Sequence, residues 1–379
     1  MKRSPLLATA ALLACTVITQ TGVAAAVDTP SPTPAASPMA GSSTVSGSAS
    51  ATASASGTAT GTGTATPTPT PTPTPSSTPT PTTTPPPPVV RTVSLYAART
   101  LVALHHHTLH GTVHPKTPGP ATVTVQRLVG GHWRTYKRDR VDRWGHYSVR
   151  FSTNRPVRYV FRAVAAWTDH RHATSHRLTR RVVARPDVNV SGPLTRRSVP
   201  YSYRSGCPVT PHSLRKITIN RFTYHHVVAR GTLVVRAGVV PALLRVFRAS
   251  FAARFPVRSM KPTDAFYAHG HRTPTQSDVA AMRADNTSAF NCRPVTGNPY
   301  RVSQHSYGNA IDINTVRNPY VVGSRVYPAF ARTYLNRHHV RTGMITRRGV
   351  IARTMRRNGW PWGARWAHPD YQHFSSSGG

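Results

Sequence analysis

Residues 303–314 read Ser303-Gln304-His305-Ser306-Tyr307-Gly308-Asn309-Ala310-Ile311-Asp312-Ile313-Asn314. His305 and Asp312 are metal-ligand types set across a short bend. Near the end of the chain, Asp370-Tyr371-Gln372-His373-Phe374 supplies a second imidazole and a second carboxylate. Two imidazoles and one carboxylate suit a catalytic zinc ion whose fourth position is left for water. The remaining Asp is then free to move protons.

Spacing by itself carries no weight in a chain this rich in His. The pattern His-x6-Asp also occurs at His132/Asp139 and His271/Asp278, and Asp-x-x-His at Asp169/His172. The filling is what distinguishes His305/Asp312. Gly308 permits a tight bend, and Ala310 keeps the neighbourhood of a metal small. Strand alternation sends Ile311 and Ile313 to one face and Asp312 to the other. A strand over 370–374 would put Tyr371 and His373 on one face. Asp370 then lies opposite, unless the chain bends before it.

Composition narrows the chemistry. Of 379 residues, ten are acidic and all ten are Asp, so any carboxylate base is an Asp. An HExxH zinc protease and an EF-hand ending in Glu are excluded. Against ten Asp stand 48 Lys and Arg, nearly all Arg, for a formal charge of +38. Such a balance suits an anionic partner, whether nucleic acid, an anionic membrane or anionic cell-wall polymers; a uniformly Arg-biased composition would give the same sum. No nucleic-acid-reading motif is present, so a nucleic-acid partner is not expected.

The elements that must position these residues lie late in the chain. Residues 1–26 read as a secretory signal peptide, with Lys2 and Arg3, an apolar run from Leu6 to Ile18, and Ala24-Ala25-Ala26 for cleavage. Leu12-Leu13-Ala14-Cys15 also fits a lipoprotein site, but the apolar run continues past Cys15 and a conventional site follows it, which favours free secretion. Residues 27–89 form a Ser/Thr/Pro-rich linker with nothing to bury, expected to be disordered. Residues 90–185 read as an all-β sandwich, with strands at 121–128, 147–151 and 159–165 separated by turn signals; its Gly130-Gly131-His132-Trp133 and Asp142-x-x-Gly145-x-Tyr147 resemble bacterial Ig-like modules. The His residues at 105–107, 110 and 114 read as exposed turn residues rather than a metal tract. Residues 196–376 read as α+β, with strands at 216–222 and 231–236 and helices at 239–255, 276–284 and 347–358, the last capped by Thr346 and ended by Gly359. No segment crosses a membrane as a mature helix, and a monomer is expected.

Cys15 lies in the leader, which leaves Cys207 and Cys292. Outside the cytoplasm such a pair within one domain is most simply a disulfide. Cys292 as a nucleophile is the weaker alternative.

These residues resemble a known family. Ser303-x-His305-x-x-Gly308-x-Ala310-x-Asp312, with Gly359-Trp360-x-Trp362-Gly363-x-x-Trp366 and Asp370-x-x-His373-Phe374, is similar to the VanY-type zinc D-Ala-D-Ala carboxypeptidases and L-alanyl-D-glutamate endopeptidases, in their secreted actinobacterial-type form. Asp285 to Gly297 looks like theirs as well. The resemblance implies a hedgehog/DD-peptidase fold, an antiparallel sheet carrying the metal with helices behind. It implies one Zn2+ held by His305, Asp312 and His373, and Asp370 as general base where relatives often have Glu. Arg293, or else Arg301, would polarise the scissile carbonyl, and Ser303 or Gln304 would hold a substrate carboxylate. The implied substrate is the peptidoglycan stem peptide. A non-catalytic, charge-driven wall-binding protein is the rival reading.

Overall fold

The computed structural model describes residues 87–116, 119–120, 122–296 and 298–378. The expected leader, lipoprotein site and most of the linker lie outside the described residues.

The first described part is built from nine strands: β1 (Thr92–Val93), β2 (Thr100–Val102), β3 (His107–His114), β4 (Thr122–Val129), β5 (His132–Arg140), β6 (His146–Phe151), β7 (Arg158–Ala166), β8 (His172–Thr174) and β9 (Leu178–Val183). β1, β3 and β6 form one sheet; β2, β9, β7, β4 and β5, with β8 on β7, form the other. Alternation decides which residues go inward. Tyr147, Val149 and Phe151 of β6 and Tyr159, Phe161, Ala163 and Ala165 of β7 are buried, and their sequence neighbours are not. Phe151 meets Phe161 edge-on at 5.1 Å, joining the two sheets into one core. Of the histidines expected to be exposed, His107 is the exception: its Nε2 accepts from the Val102 backbone N–H at 2.9 Å.

The second part opens with β10 (Val188–Ser191), which pairs with β11 (Leu214–Phe222), itself paired with β12 (Val228–Arg236). This sheet therefore begins ahead of the expected boundary at 196. Both of its faces are covered. Ile217, Ile219, Leu233 and Val235 pack with Leu243, Val246 and Phe247 of α1 (Val240–Ala252) and with Ile351, Ala352 and Met355 of α3 (Val350–Arg357). Leu214 and Val234 turn the other way, toward Phe290 and Cys292.

Helix ends follow local chemistry. The helix expected to run to 255 ends at Ala252, because Arg254 turns left-handed (φ 52°) and Phe255 N–H donates to Ser250 O at 2.9 Å. Between α1 and α3, α2 (Pro274–Arg283) starts at a capping box in which Thr273 and Gln276 bond reciprocally. The expected Thr346 cap is corrected. Residues 346–349 instead form a turn, with Gly349 N–H donating to Thr346 O at 2.9 Å, and Gly349 is the N-cap of α3.

Short strands complete the second part: β13 (Ser259–Met260), β14 (Asn286–Thr287), β15 (Pro294–Val295), β16 (Asn298–Val302), β17 (Ala310–Asp312), β18 (Tyr320–Val322), β19 (Arg325–Tyr327) and β20 (His373–Ser375). The strands that carry the candidate ligands, β17 and β20, pair antiparallel, while β13 and β14 form a separate parallel pair. Cys207 and Cys292 form a disulfide with Cα atoms 5.9 Å apart, which settles the alternatives for that pair. The two parts are not beads on a string. Phe222 and Val228 from the β11–β12 hairpin, and Phe251 from α1, are buried in the sandwich core, and Val228 N–H donates to Asn154 O at 2.8 Å.

Candidate metal centre

A 3-10 turn, a pair of strands and a bend bring the chemistry together. Ser303 opens a 3-10 turn, Gln304–Tyr307, its Oγ accepting from the His305 N–H at 3.3 Å. The turn holds His305 inward and ends at Gly308, whose φ of 65° only glycine adopts freely. A Cβ at Gly308 would lie 2.8 Å from the Arg236 backbone nitrogen, so the turn can dock on β12 only without one. The chain then enters β17, which pairs with β20 so that Ile311 faces Phe374 and Asp312 faces His373. Directly opposed residues share a face. Ile311 and Phe374 therefore pack toward α1 and α3, and Asp312 and His373 look out the other way.

There they meet His305. Its Nε2 lies 3.1 Å from Asp312 Oδ2 and 3.2 Å from His373 Nδ1, and His373 Nδ1 lies 3.0 Å from Asp312 Oδ1. All three side chains are buried. His305 Nδ1 sits 2.5 Å from the Ala289 carbonyl oxygen and donates its proton there, which turns the Nε2 lone pair toward the cluster. The three ligand atoms converge closely enough that they could hold a metal ion. The spacing fits one: ligands at about 2.0–2.1 Å from a tetrahedral zinc stand about 3.3 Å from each other. Burial alone would raise the Asp312 pKa, but His305 and His373 beside it outweigh that and hold the carboxyl well below the usual range. Burial likewise works to lower the His305 pKa, and Asp312 more than reverses it.

The expected strand over 370–374 is not formed. β20 begins only at His373, and residues 371 and 372 bend. The bend brings Asp370 round to the same cavity as the three ligands, a space of about 360 Å3. Asp370 is buried, and its Oδ1 has no hydrogen-bond partner among the described residues. Its backbone N–H donates to Gly363 O at 3.0 Å, and a Cβ at Gly363 would crowd Asp370 at 2.8 Å, so this approach requires glycine. Burial first, and then the Asp312 charge, push the Asp370 pKa up. Two carboxylates of one pocket are thus driven apart in protonation. Trp362 stacks on Phe374 at 5.8 Å and donates from Nε1 to Tyr371 O at 2.9 Å, bracing the bend.

Arg293, Arg301, Ser303 and Gln304 all line this cavity, but differently. Arg293 is buried; its Nη2 pairs with Asp278 Oδ2 at 2.8 Å, and its Nε is buried without a partner. Arg301 is exposed at the rim, on β16. Ser303 Oγ accepts from the His305 N–H of its own turn, and Gln304 Oε1 accepts from Ser377 Oγ at 2.7 Å.

Sequence reasoning passed over Asp278 and Gln372. Asp278 comes from α2 and also meets Thr296 at 3.4 Å. Gln372 Oε1 is buried in the cavity wall without a partner. Scarcity was the available signal for Asp278: with ten Asp in the chain, each is worth a partner search.

A comparison with protein families places a peptidase M15 domain, described as D-alanyl-D-alanine carboxypeptidase, at residues 296–376. The matched segment holds His305, Asp312, Asp370 and His373, and begins just after Arg293. No curated protein matches the chain.

Proposed function

We propose that this protein is a secreted, zinc-dependent peptidase that hydrolyses a peptide bond in peptidoglycan stem peptides, as a D-Ala-D-Ala carboxypeptidase or a related endopeptidase. The observation that carries the reading is the convergence of His305, Asp312 and His373 beside the unpartnered Asp370 Oδ1, within a segment matching a carboxypeptidase family. His305, Asp312 and His373 would hold the ion. Bound there, zinc supplies an acidified water and a Lewis acid for the scissile carbonyl.

The chain's own groups do the rest. Asp370 Oδ1 takes a proton from the attacking water and returns it to the leaving amine. Arg293, already in the wall and braced by Asp278, donates to the oxygen on which charge develops; Arg301 at the rim is the weaker candidate. Ser303 and Gln304 would meet a substrate carboxylate as donors, through the Ser303 O–H and the Gln304 side-chain N–H, since both now accept through their oxygens. The Cys207–Cys292 disulfide agrees with an extracellular location, and among the described residues no helix is long and apolar enough to cross a membrane. The sandwich is read as an Ig-like spacer or adhesive module.

Digestion of purified muropeptides, with products identified by mass spectrometry, tests the reading. Wild type is expected to cut, and His305→Ala and Asp370→Ala are not. A wild-type protein that binds zinc but releases nothing the two variants spare would instead be a non-catalytic wall-binding protein.

A further inference from the structure

Six arginines gather on one face of the sandwich. On the β2-β9-β7-β4-β5 sheet, Val123, Val125, Phe161, Ala163, Leu178 and Val182 point into the core. The register then fixes the opposite face. Thr122 and Thr124 stand across from Arg140 and Arg138, Gln126 across from Arg162, and Arg158 across from Arg181. Arg138, Arg140, Arg158 and Arg181 are exposed. Arg162 is fixed by donating from Nε to Gln126 Oε1 at 2.7 Å, and its guanidinium lies 4.4 Å from the Trp133 ring centre; Arg177 reaches the same ring at 5.8 Å. Arginine planes bracketing an indole form a rigid, amphipathic centre to an otherwise flat basic face.

Among the described residues this face carries no compensating acid. The four Asp of the sandwich and its exit are each engaged elsewhere. Asp139 accepts from Ser148 N–H at 2.6 Å, Asp142 caps its own turn, Asp169 pairs with Arg91, and Asp187 with His105. None of the six arginines is in an ion pair among the described residues. On a pleated sheet, side chains two apart on one strand repeat at roughly 6.8 Å and neighbouring strands at roughly 4.8 Å. An extended chain with a charge every few ångströms can follow such a grid. The face uses arginine throughout, and the guanidinium fork matches a phosphate in two-point contact better than an ammonium does.

We infer that this sheet face binds a linear phosphodiester polymer of the sugar- or polyol-phosphate kind, so that the sandwich docks the chain onto an anionic matrix. The binding does not depend on the peptidase reading and is tested without it. The full chain is titrated against immobilised poly(glycerol phosphate) over a range of salt concentrations. One variant carries Arg138→Gln, Arg140→Gln, Arg158→Gln and Arg181→Gln. A charge-matched control carries Arg347→Gln, Arg348→Gln, Arg353→Gln and Arg357→Gln, all exposed on or just before α3.

The face variant is expected to bind at least tenfold more weakly, and the control to stay within twofold of wild type. Each lost phosphate contact removes about 0.7 from the slope of log affinity against log salt on a flexible strand, so the face variant should lose about 3. Thermal unfolding verifies that both variants are folded; should the fourfold variant not fold, Arg138→Gln with Arg181→Gln carries the same test at half the slope change. Equal losses in both variants would reduce the effect to net charge and overturn the proposal. So would unchanged binding in the face variant, or tighter binding of single-stranded DNA than of poly(glycerol phosphate) at equal ionic strength.

Discussion

Asp312 and His373 are directly opposed partners on antiparallel strands, and their side chains meet at 3.0 Å. The register of β17 on β20 thereby sets two of the three candidate ligands, and the turn before β17 sets the third. A slip of one residue would exchange Asp312 for Ile311 on the cavity side.

The first prediction concerns the metal. Asp312→Ala removes the central carboxylate and leaves two imidazoles with no anion. We expect zinc affinity to fall by more than about 100-fold, beyond the 10- to 100-fold typical of losing an outer partner. Metal analysis after dialysis against a competing chelator reads this directly.

Asp370→Asn should separate catalysis from metal binding. The substitution keeps size and burial and removes only the proton-accepting oxygen. Bound zinc is expected to stay at the wild-type level, while kcat drops by about 10²–10⁴, the range for losing a general base. Zinc loss in parallel with activity would place Asp370 among the ligands instead.

Breaking Asp278 from Arg293 leaves a buried guanidinium unpaired, since the two side chains are 10% and 6% exposed. Asp278→Ala should lower stability by about 3–5 kcal/mol, the cost of breaking a buried pair from one side. Calorimetric unfolding of the variant tests this, and kcat/KM for muropeptides should fall with zinc content unchanged.

Removing the disulfide through Cys207→Ser with Cys292→Ser frees a loop spanning 85 residues. The chain-entropy relation puts the loss near 4–5 kcal/mol. Denaturant unfolding should show a lower midpoint. Arg293, one residue beyond the bridge, should become more accessible to proteolysis at its peptide bond.

Tyr224 contributes to stability at high pH. Its hydroxyl donates to Asp285 Oδ2 at 2.9 Å, and burial first, then the Asp285 charge, raise its pKa. A raised folded value means that stability is fully present below the ordinary tyrosine value of about 10 and is lost as pH climbs above it. The melting temperature should therefore fall from about pH 10 upward. Tyr224→Phe should make that fall shallower while costing about 1 kcal/mol at neutral pH. A Tyr224→Phe curve parallel to wild type would dismiss this account.

Much of the centre was legible because its residues are close in sequence and their filling is diagnostic. Gly308 reads as a bend, Ile311 and Ile313 as a buried face, and Asp370-x-x-His373 as a second donor pair. Three things were not legible. The bend at 371–372 arises from Trp362, which donates to Tyr371 O, and from Gly363, which admits Asp370 closely; neither contact is encoded near the bend. Asp278 lies on α2, 15 positions before Arg293, and only tertiary packing joins them. The strand at 188–191 is only four residues long and largely exposed, and its Val188 and Val190 alternate too briefly to announce the pairing with β11.

The burial of Phe222, Val228 and Phe251 in the sandwich core has a consequence for inheritance and engineering alike. A gene fusion or a truncation cut between residues 185 and 196 would lift those three side chains into water and sever the β10 edge from its sheet. Transplanting the C-terminal half onto another carrier thus calls for rewriting its own surface at Phe222, Val228 and Phe251. The portable module, for recombination as for a crystallographer choosing ends, is the pair.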